Sequence, residues 1–273
     1  MSYNGKETGV IFGFLSKLLL IAEKFNTKRF FFCWDSEWTY REQDYRGYKE
    51  HRRNRDMTPE EIEQQKSVIK QREELRNLVV PKLGFSNSYM VPGFEADDLL
   101  AVFSRRLSTC SDVVMVTRDM DMYQCLDCCS IFDPTTKKIF TKEKLKSDYC
   151  IKPNKWALAK AIGGCDSDNV RGIKGVADPK KATSMGLKYL NGKLTKGKVF
   201  DRIESEDGKA IIKTNLPIVT TPYREEDLSR LLIKRNKFEK NKFMSVFELY
   251  GLYSFLKPEK WEKWKTIFLK GDE

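Results

Sequence analysis

Residues 93–101 read Gly93-Phe94-Glu95-Ala96-Asp97-Asp98-Leu99-Leu100-Ala101, and the fold turns on them. Three carboxylates stand where an apolar periodicity begins, which marks a helix with an acidic first turn. Glu95 and Asp98 are three residues apart and share one face of it. Upstream, residues 85–91 read as a strand and Pro92-Gly93 as a turn. Downstream, the helix over 95–108 leads to the run DVVMVT at 112–117, a buried strand followed at once by Asp119 and Asp121. The same order occurs earlier: a helix over 9–25, then the aromatic strand 28–34 ending at Asp35. Strands alternating with helices predict an α/β fold, a mostly parallel sheet flanked by helices. In such sheets functional groups collect at the carboxyl ends of the strands.

The rest of the chain extends this frame. Thr58-Pro59-Glu60-Glu61 combines a capping hydroxyl, Pro at the first helical position and acids in the first turn, so a helix runs from there to about Leu83 and stops at Gly84. Residues 129–133 and 137–140 predict a hairpin around Pro134-Thr135-Thr136. After residue 141 the pattern turns helical, over 141–149, 153–163 and 179–190, with a basic loop at 191–200 and an irregular stretch at 205–225 carrying Pro217 and Pro222. The tail alternates lysines with Phe243, Phe247, Tyr250, Tyr253, Phe255, Trp261 and Trp264, aromatics that predict packing onto the body of the protein.

At 273 residues, 40% hydrophobic and 33% charged, the chain is long and apolar enough for a sizeable core and is no disordered or collagen-like sequence. The longest oily stretch, Val10 to Ala22, is interrupted by Gly13, Ser16 and Lys17, so no membrane span is predicted. The first residues lack the order of a signal peptide, and a cytoplasmic protein is expected. Fifty basic against 39 acidic residues leave a net charge of +11, which favours a polyanion such as nucleic acid, although a solubilising surface accounts for charge alone. Seven cysteines and the single His51 make no zinc pattern; the cysteines read as reduced.

The acidic residues carry the chemistry. Asp35, Glu95, Asp97, Asp98, Asp119, Asp121, Asp166 and Asp168 sit at strand ends, helix starts or the turn GGCDSDN. Singly, each has an ordinary explanation as a cap or turn residue. Together they would bring like charges into one crevice, which ordinary stability opposes. A divalent cation resolves this, and an oxygen-only donor set suits Mg²⁺ or Mn²⁺ over zinc. Two such ions about 3.5–4 Å apart would clamp the attacking and leaving oxygens of a phosphodiester. No Walker or Gly-x-Gly-x-x-Gly loop is present, so nucleotide-driven chemistry is not indicated.

The order FxxxWD (30–35), YxxYKxHR (45–52), GFEADDLLA (93–101), VTRDMDMYQCL (116–126) and GGCDSDNVRGIKGVADPKKA (163–182) resembles the 5′-nuclease superfamily over about residues 8–190. That group includes flap endonucleases, the 5′→3′ exonuclease domain of bacterial DNA polymerase, and phage 5′-exonucleases and RNase H. The resemblance implies a PIN-like α/β nuclease core over 1–140, with a basic arch or clamp near 36–58. It implies a helical DNA-binding region over 141–273 with a helix-hairpin-helix near 164–190. Glu95, Asp97, Asp98, Asp119 and Asp121 match its metal-binding carboxylates, Asp35 the Asp after its second strand and Asp168 the Asp before Asn169, with Asp166 as a substitute by a shifted loop, for two Mg²⁺ ions with Mn²⁺ as an alternative. Lys49 and Arg52 match groups that orient the scissile phosphate, and Tyr48, Arg53, Gly172, Gly175, Lys180 and Lys181 match DNA contacts, with K⁺ at the hairpin. Residues 41–55 hold six basic and three acidic residues, and 180–200 hold six lysines and no acid, which suits sequence-independent phosphate contact.

By the same resemblance the chain is expected to be a monomeric, structure-specific 5′ nuclease acting on flapped, nicked or RNA-primed duplex DNA in replication or repair, alongside replication proteins. This sequence departs from the family pattern in two places. The family's opening strand, ending in Asp-Gly, has no counterpart before Asp35; a start upstream of Met1, another segment in that slot, or lost catalysis would each account for this. In the register set by Asp168-Asn169, the first Asp of the family's G-D-x-x-D-N is Cys165, with Asp166 one place late. The alternative function is therefore a catalytically impaired DNA-structure-binding protein of the same fold.

Overall fold

The structure is a computed structural model that describes residues 1–50, 56–181 and 184–270. The chain forms two compact units. The first comprises 1–34, 56–89 and 232–273, and the second 35–55 and 90–231.

In the first unit the helix Gly9–Phe25 buries Ile11, Leu15, Leu18, Leu19 and Ala22, an i, i+4, i+7 stripe. Thr58 and Glu61 form the reciprocal cap that starts Pro59–Glu74. A π-turn, Leu75–Val79, carries that helix on into Val80–Lys82. Gly84 ends it at φ +98°, where a Cβ would fall 1.9 Å from the carbonyl oxygen of Lys237; only glycine fits. The predicted strands at 28–34 and 85–91 pair in parallel, but only over Phe32–Cys33 and Ser88–Tyr89. The tail aromatics pack as predicted: Phe243, Phe247, Tyr250, Phe255 and Trp264 join the core of the 9–25 helix, while Tyr253 stays exposed.

The second unit carries a three-stranded sheet. Val114–Val116 pairs in parallel with Ser130–Phe132, which pairs antiparallel with Ile139–Phe140, the predicted hairpin. Ala101 on the helix Ala96–Leu107, Met115 and Ile131 on the strands, and Trp156 on the helix Trp156–Gly163 belong to one core. Strand pairing is thus short and mixed in an otherwise helix-rich α/β chain.

Two stretches differ from the sequence reading. Residues 206–219, expected to be irregular, form the helix Glu206–Val219. Ser205 caps it by accepting from Gly208 N–H, and Pro217 lies in its last turn, where the chain is about to leave the helix. The helix expected over 179–190 is formed, among the described residues, over Met185–Leu190. Among the described residues no helix is long and apolar enough to cross a membrane.

Candidate active site

Three segments of the second unit present the acids. Asp35 follows the 32–33 strand, and its Oδ1 accepts from Ala96 N–H at 3.0 Å, which places it at the mouth of the 96–107 helix. Glu95 caps that helix reciprocally with Asp98. Asp119 caps the 3-10 turn Met120–Cys125 by accepting from Asp121 N–H at 2.8 Å. These arrivals converge on Asp97. Burial, reinforced by Asp119, Glu95 and Asp35 and only partly offset by Lys49, pushes its carboxyl up to about 7. Asp119 is raised as well, by burial and then by Asp121, against Lys160 and Lys180.

The carboxylates do different jobs. Asp98, buried, accepts two 2.7 Å bonds from Arg41 and one of 2.8 Å from Tyr223 N–H. Arg41 itself has all five N–H groups occupied: two on Asp98, one on Glu95 at 2.9 Å, and one each on the Ile218 and Thr220 carbonyls at 2.9 and 3.0 Å. Glu95 also takes Tyr48 OH at 3.1 Å and an ion pair from Lys49. The sequence reading places Glu95 and Asp98 with the metal ligands; here their oxygens meet cationic or hydroxyl partners. Tyr48, expected on DNA, is 5% exposed, with its hydroxyl on Glu95. In the sequence Arg41 is no more than one basic residue in a basic stretch. Its signal is Thr39-x-x-Glu42, a capping box that opens the helix Tyr40–Asp44 and fixes Arg41 on its inner face.

The turn after residue 163 closes on the same region. Lys49 N–H donates to Asp168 O at 3.0 Å and Asn169 Nδ2 to Gly47 O at 2.8 Å, which ties the 45–50 segment to that turn. Gly164–Cys165 pairs antiparallel with Val170–Arg171. The extended backbone at Cys165 turns its side chain inward, and Asp166 is exposed. Asp166 is expected among the metal-binding carboxylates; the thiol of Cys165 meets Asp168 Oδ2 at 3.1 Å in its place. Asp121, Cys165 and Asp168 bring one ligand atom each within 4.8 Å of one another. Lys160, wholly buried on the 156–163 helix, sits among them, paired with Asp121 Oδ2 and 3.1 Å from Cys165 Sγ. Its sequence signal is a single lysine inside the apolar run Trp156–Ile162.

Where the helix-hairpin-helix is expected, near 164–190, the described residues hold the short antiparallel pairing of Gly164–Cys165 with Val170–Arg171, after the helix Trp156–Gly163, and further on the helix Met185–Leu190. Gly172 lies where a Cβ would come within 2.2 Å of the Gly163 carbonyl. Gly172→Ala is therefore expected to cost roughly 2–4 kcal/mol, read as a lowered midpoint in urea, because backbone on the far side cannot give way. Gly175 lies at φ +86°. Lys180 and Lys181 are exposed. Arg52 and Arg53 lie outside the described residues.

The donor set around Asp97 fits a hard divalent cation. It is all oxygen and its carboxylates oppose one another, and beside Asp119 the Oδ1 of Asp121 is buried with no hydrogen-bond partner among the described residues. An α/β domain with carboxylates gathered past its strand ends is the class this arrangement defines. Residues 1–150, more than half of the chain, match the 5′-3′ exonuclease N-terminal resolvase-like domain, and the chain belongs to that family. A thermostable DNA polymerase I of Thermus thermophilus is 31% identical over 215 residues, which are 78% of this chain and 24% of the polymerase. A 5′-3′ exonuclease of Bacillus subtilis is 30% identical over 64% of this chain and 57% of its own length. The chain thus spans about a quarter of the polymerases it resembles. The T5 5′-exonuclease with divalent metal ions (zinc) bound shares the fold at TM-score 0.68 and 17% identity, over 91% of this chain and 92% of that one. A T5 flap endonuclease variant in a pseudo-enzyme–product complex with DNA and metal ions aligns at TM-score 0.66 and 18% identity, over 91% and 93%.

Proposed function

We propose that this chain is a structure-specific 5′ nuclease, a flap endonuclease or 5′→3′ exonuclease that hydrolyses phosphodiesters of branched, nicked or RNA-primed duplex DNA in replication or repair. The observation that carries this reading is the convergence of Asp35, Glu95 and Asp119 on Asp97 in a chain of net charge +11. Opposed carboxylates in a basic protein are what a cation-dependent site for a polyanion requires. The T5 relatives carrying divalent ions and DNA support it.

Asp97 and Asp119, with Asp35 and the orphaned Oδ1 of Asp121, would hold Mg²⁺ or Mn²⁺. Bound there, the ion supplies Lewis-acid activation of a phosphodiester and of water. Arg41, Lys49 and Tyr48 fix Glu95 and keep the acidic wall in place. Lys49 is 22% exposed at its side chain, which lets it meet a phosphate at the rim, and Arg52 would serve as a clamp beside it. Exposed Lys180 and Lys181 would grip the duplex backbone, with Arg53, Gly172 and Gly175 as further contacts and K⁺ at the turn. We assign the α/β nuclease work to 1–140 and duplex binding to the helical 141–273, in a monomer of the bacterial or phage-infected cytoplasm.

The test is a 5′-labelled flap duplex incubated with the purified chain and Mg²⁺. Release of a flap oligonucleotide is expected. Asp119→Ala should lower the rate on the order of 10³-fold while binding in EDTA stays within about threefold. Binding with no cleavage in either Mg²⁺ or Mn²⁺ would instead identify an impaired DNA-structure-binding protein.

A further inference from the structure

We propose that the ammonium of Lys160 takes the place of a second divalent cation in this protein, so that each chain holds one catalytic metal ion. This rests on the nuclease reading above and adds to it the number of ions at the site.

Lys160 lies on a helix whose Trp156, Ala159, Ala161 and Ile162 are buried with it, while Ala157, Leu158 and Gly163 are half-buried. Asn215 pins that helix to the turn by donating to Ala161 O at 3.0 Å and Arg171 O at 2.8 Å. The lysine side chain is wholly buried, and its partner Asp121 is half-buried. It pairs with Asp121 Oδ2 and donates to Cys165 Sγ at 3.1 Å, two members of the one close trio of potential ligands found among the described residues. An ammonium is a compact point charge with three donors, and two of the trio, Asp121 and Cys165, contact it as ligands would contact an ion.

Two features of the trio disfavour a metal there. Cys165 offers one soft sulfur where Mg²⁺ requires hard oxygens. Its thiol also lies 3.1 Å from Asp168 Oδ2, and Lys49 Nζ lies 3.9 Å from Asp168 Oδ1, so Asp168 already faces donors on both oxygens. The Lys160 ammonium pairs Asp121 directly, and Lys49, which it shares with Glu95, is the second cation near Asp168, so positive charge already stands beside both carboxylates. The oxygen of Asp121 turned away from Lys160 is the one with no partner, and it remains for the ion shared with neighbouring Asp119.

Titration of the full chain with Mn²⁺, followed by electron paramagnetic resonance, counts the ions. One Mn²⁺ per chain with no spin-coupled pair is expected, unchanged in Lys160→Arg and in Cys165→Asp, which keeps the lysine. The double variant Lys160→Met/Cys165→Asp should bind two ions that couple magnetically. Two coupled ions in the unaltered chain would overturn the inference and leave the nuclease reading standing, and this arm needs no variant to fold. A well-folded double variant that still binds one ion would also overturn it. No bound ion in the unaltered chain would remove the nuclease reading itself.

Discussion

Asp97→Asn is expected to lower flap cleavage on the order of 10³-fold or more, because the group that gathers its neighbours' charge is the one best placed to anchor a cation worth several kcal/mol to the reaction. The same substitution should stabilise the metal-free protein. Folding lifts the Asp97 carboxyl from 3.8 to about 7, so the folded chain holds a proton there that the unfolded chain has released. Stability linked to this group is complete below 3.8 and is lost as pH rises through about 7. In metal-free buffer, melting of the unaltered chain should therefore fall from about pH 5 to about pH 8 relative to Asp97→Asn, and saturating Mn²⁺ should reverse the order. Parallel pH profiles for the two proteins would show that Asp97 does not carry this burden.

Arg41→Met has the largest expected effect on folding. It strands the Asp98 carboxylate in the interior with two of its partners gone and removes one partner of Glu95. Breaking a buried pair of this kind costs about 3–5 kcal/mol, since the remaining charge has nothing to replace the lost donors. Arg41→Met/Asp98→Leu should recover much of the loss by removing both charges together. Chemical denaturation measures each step. A loss below about 1 kcal/mol for the single variant would mean that solvent reaches Asp98 and that the pair is no structural post.

Local chemistry makes much of this molecule legible. Thr58-Pro59 with Glu61, the acidic start at Glu95 and the Pro134 turn each name an element that forms close to where it is read. The carboxylates past the strand ends are legible for the same reason: their places follow from alternation of strand and helix. What escapes depends on burial across long sequence separations. Pro217 reads as a breaker, yet in a last turn the ring removes a hydrogen bond the helix is about to lose anyway. Arg41 and Lys160 look like ordinary surface charges until Asp98, 57 residues away from Arg41, and Asp121 are seen to face them. Whether Cys165 or Asp166 points inward is settled by the pleat of a two-residue strand, a one-residue phase that composition does not carry.

If the acids at the strand ends hold a divalent cation, anomalous diffraction from crystals soaked in Mn²⁺ shows it most directly. A peak in contact with the carboxylates of Asp97 and Asp119 is the predicted result. Crystals of the intact chain with no manganese on either carboxylate, or with manganese only at surface acids such as Asp127 and Asp148, would contradict it.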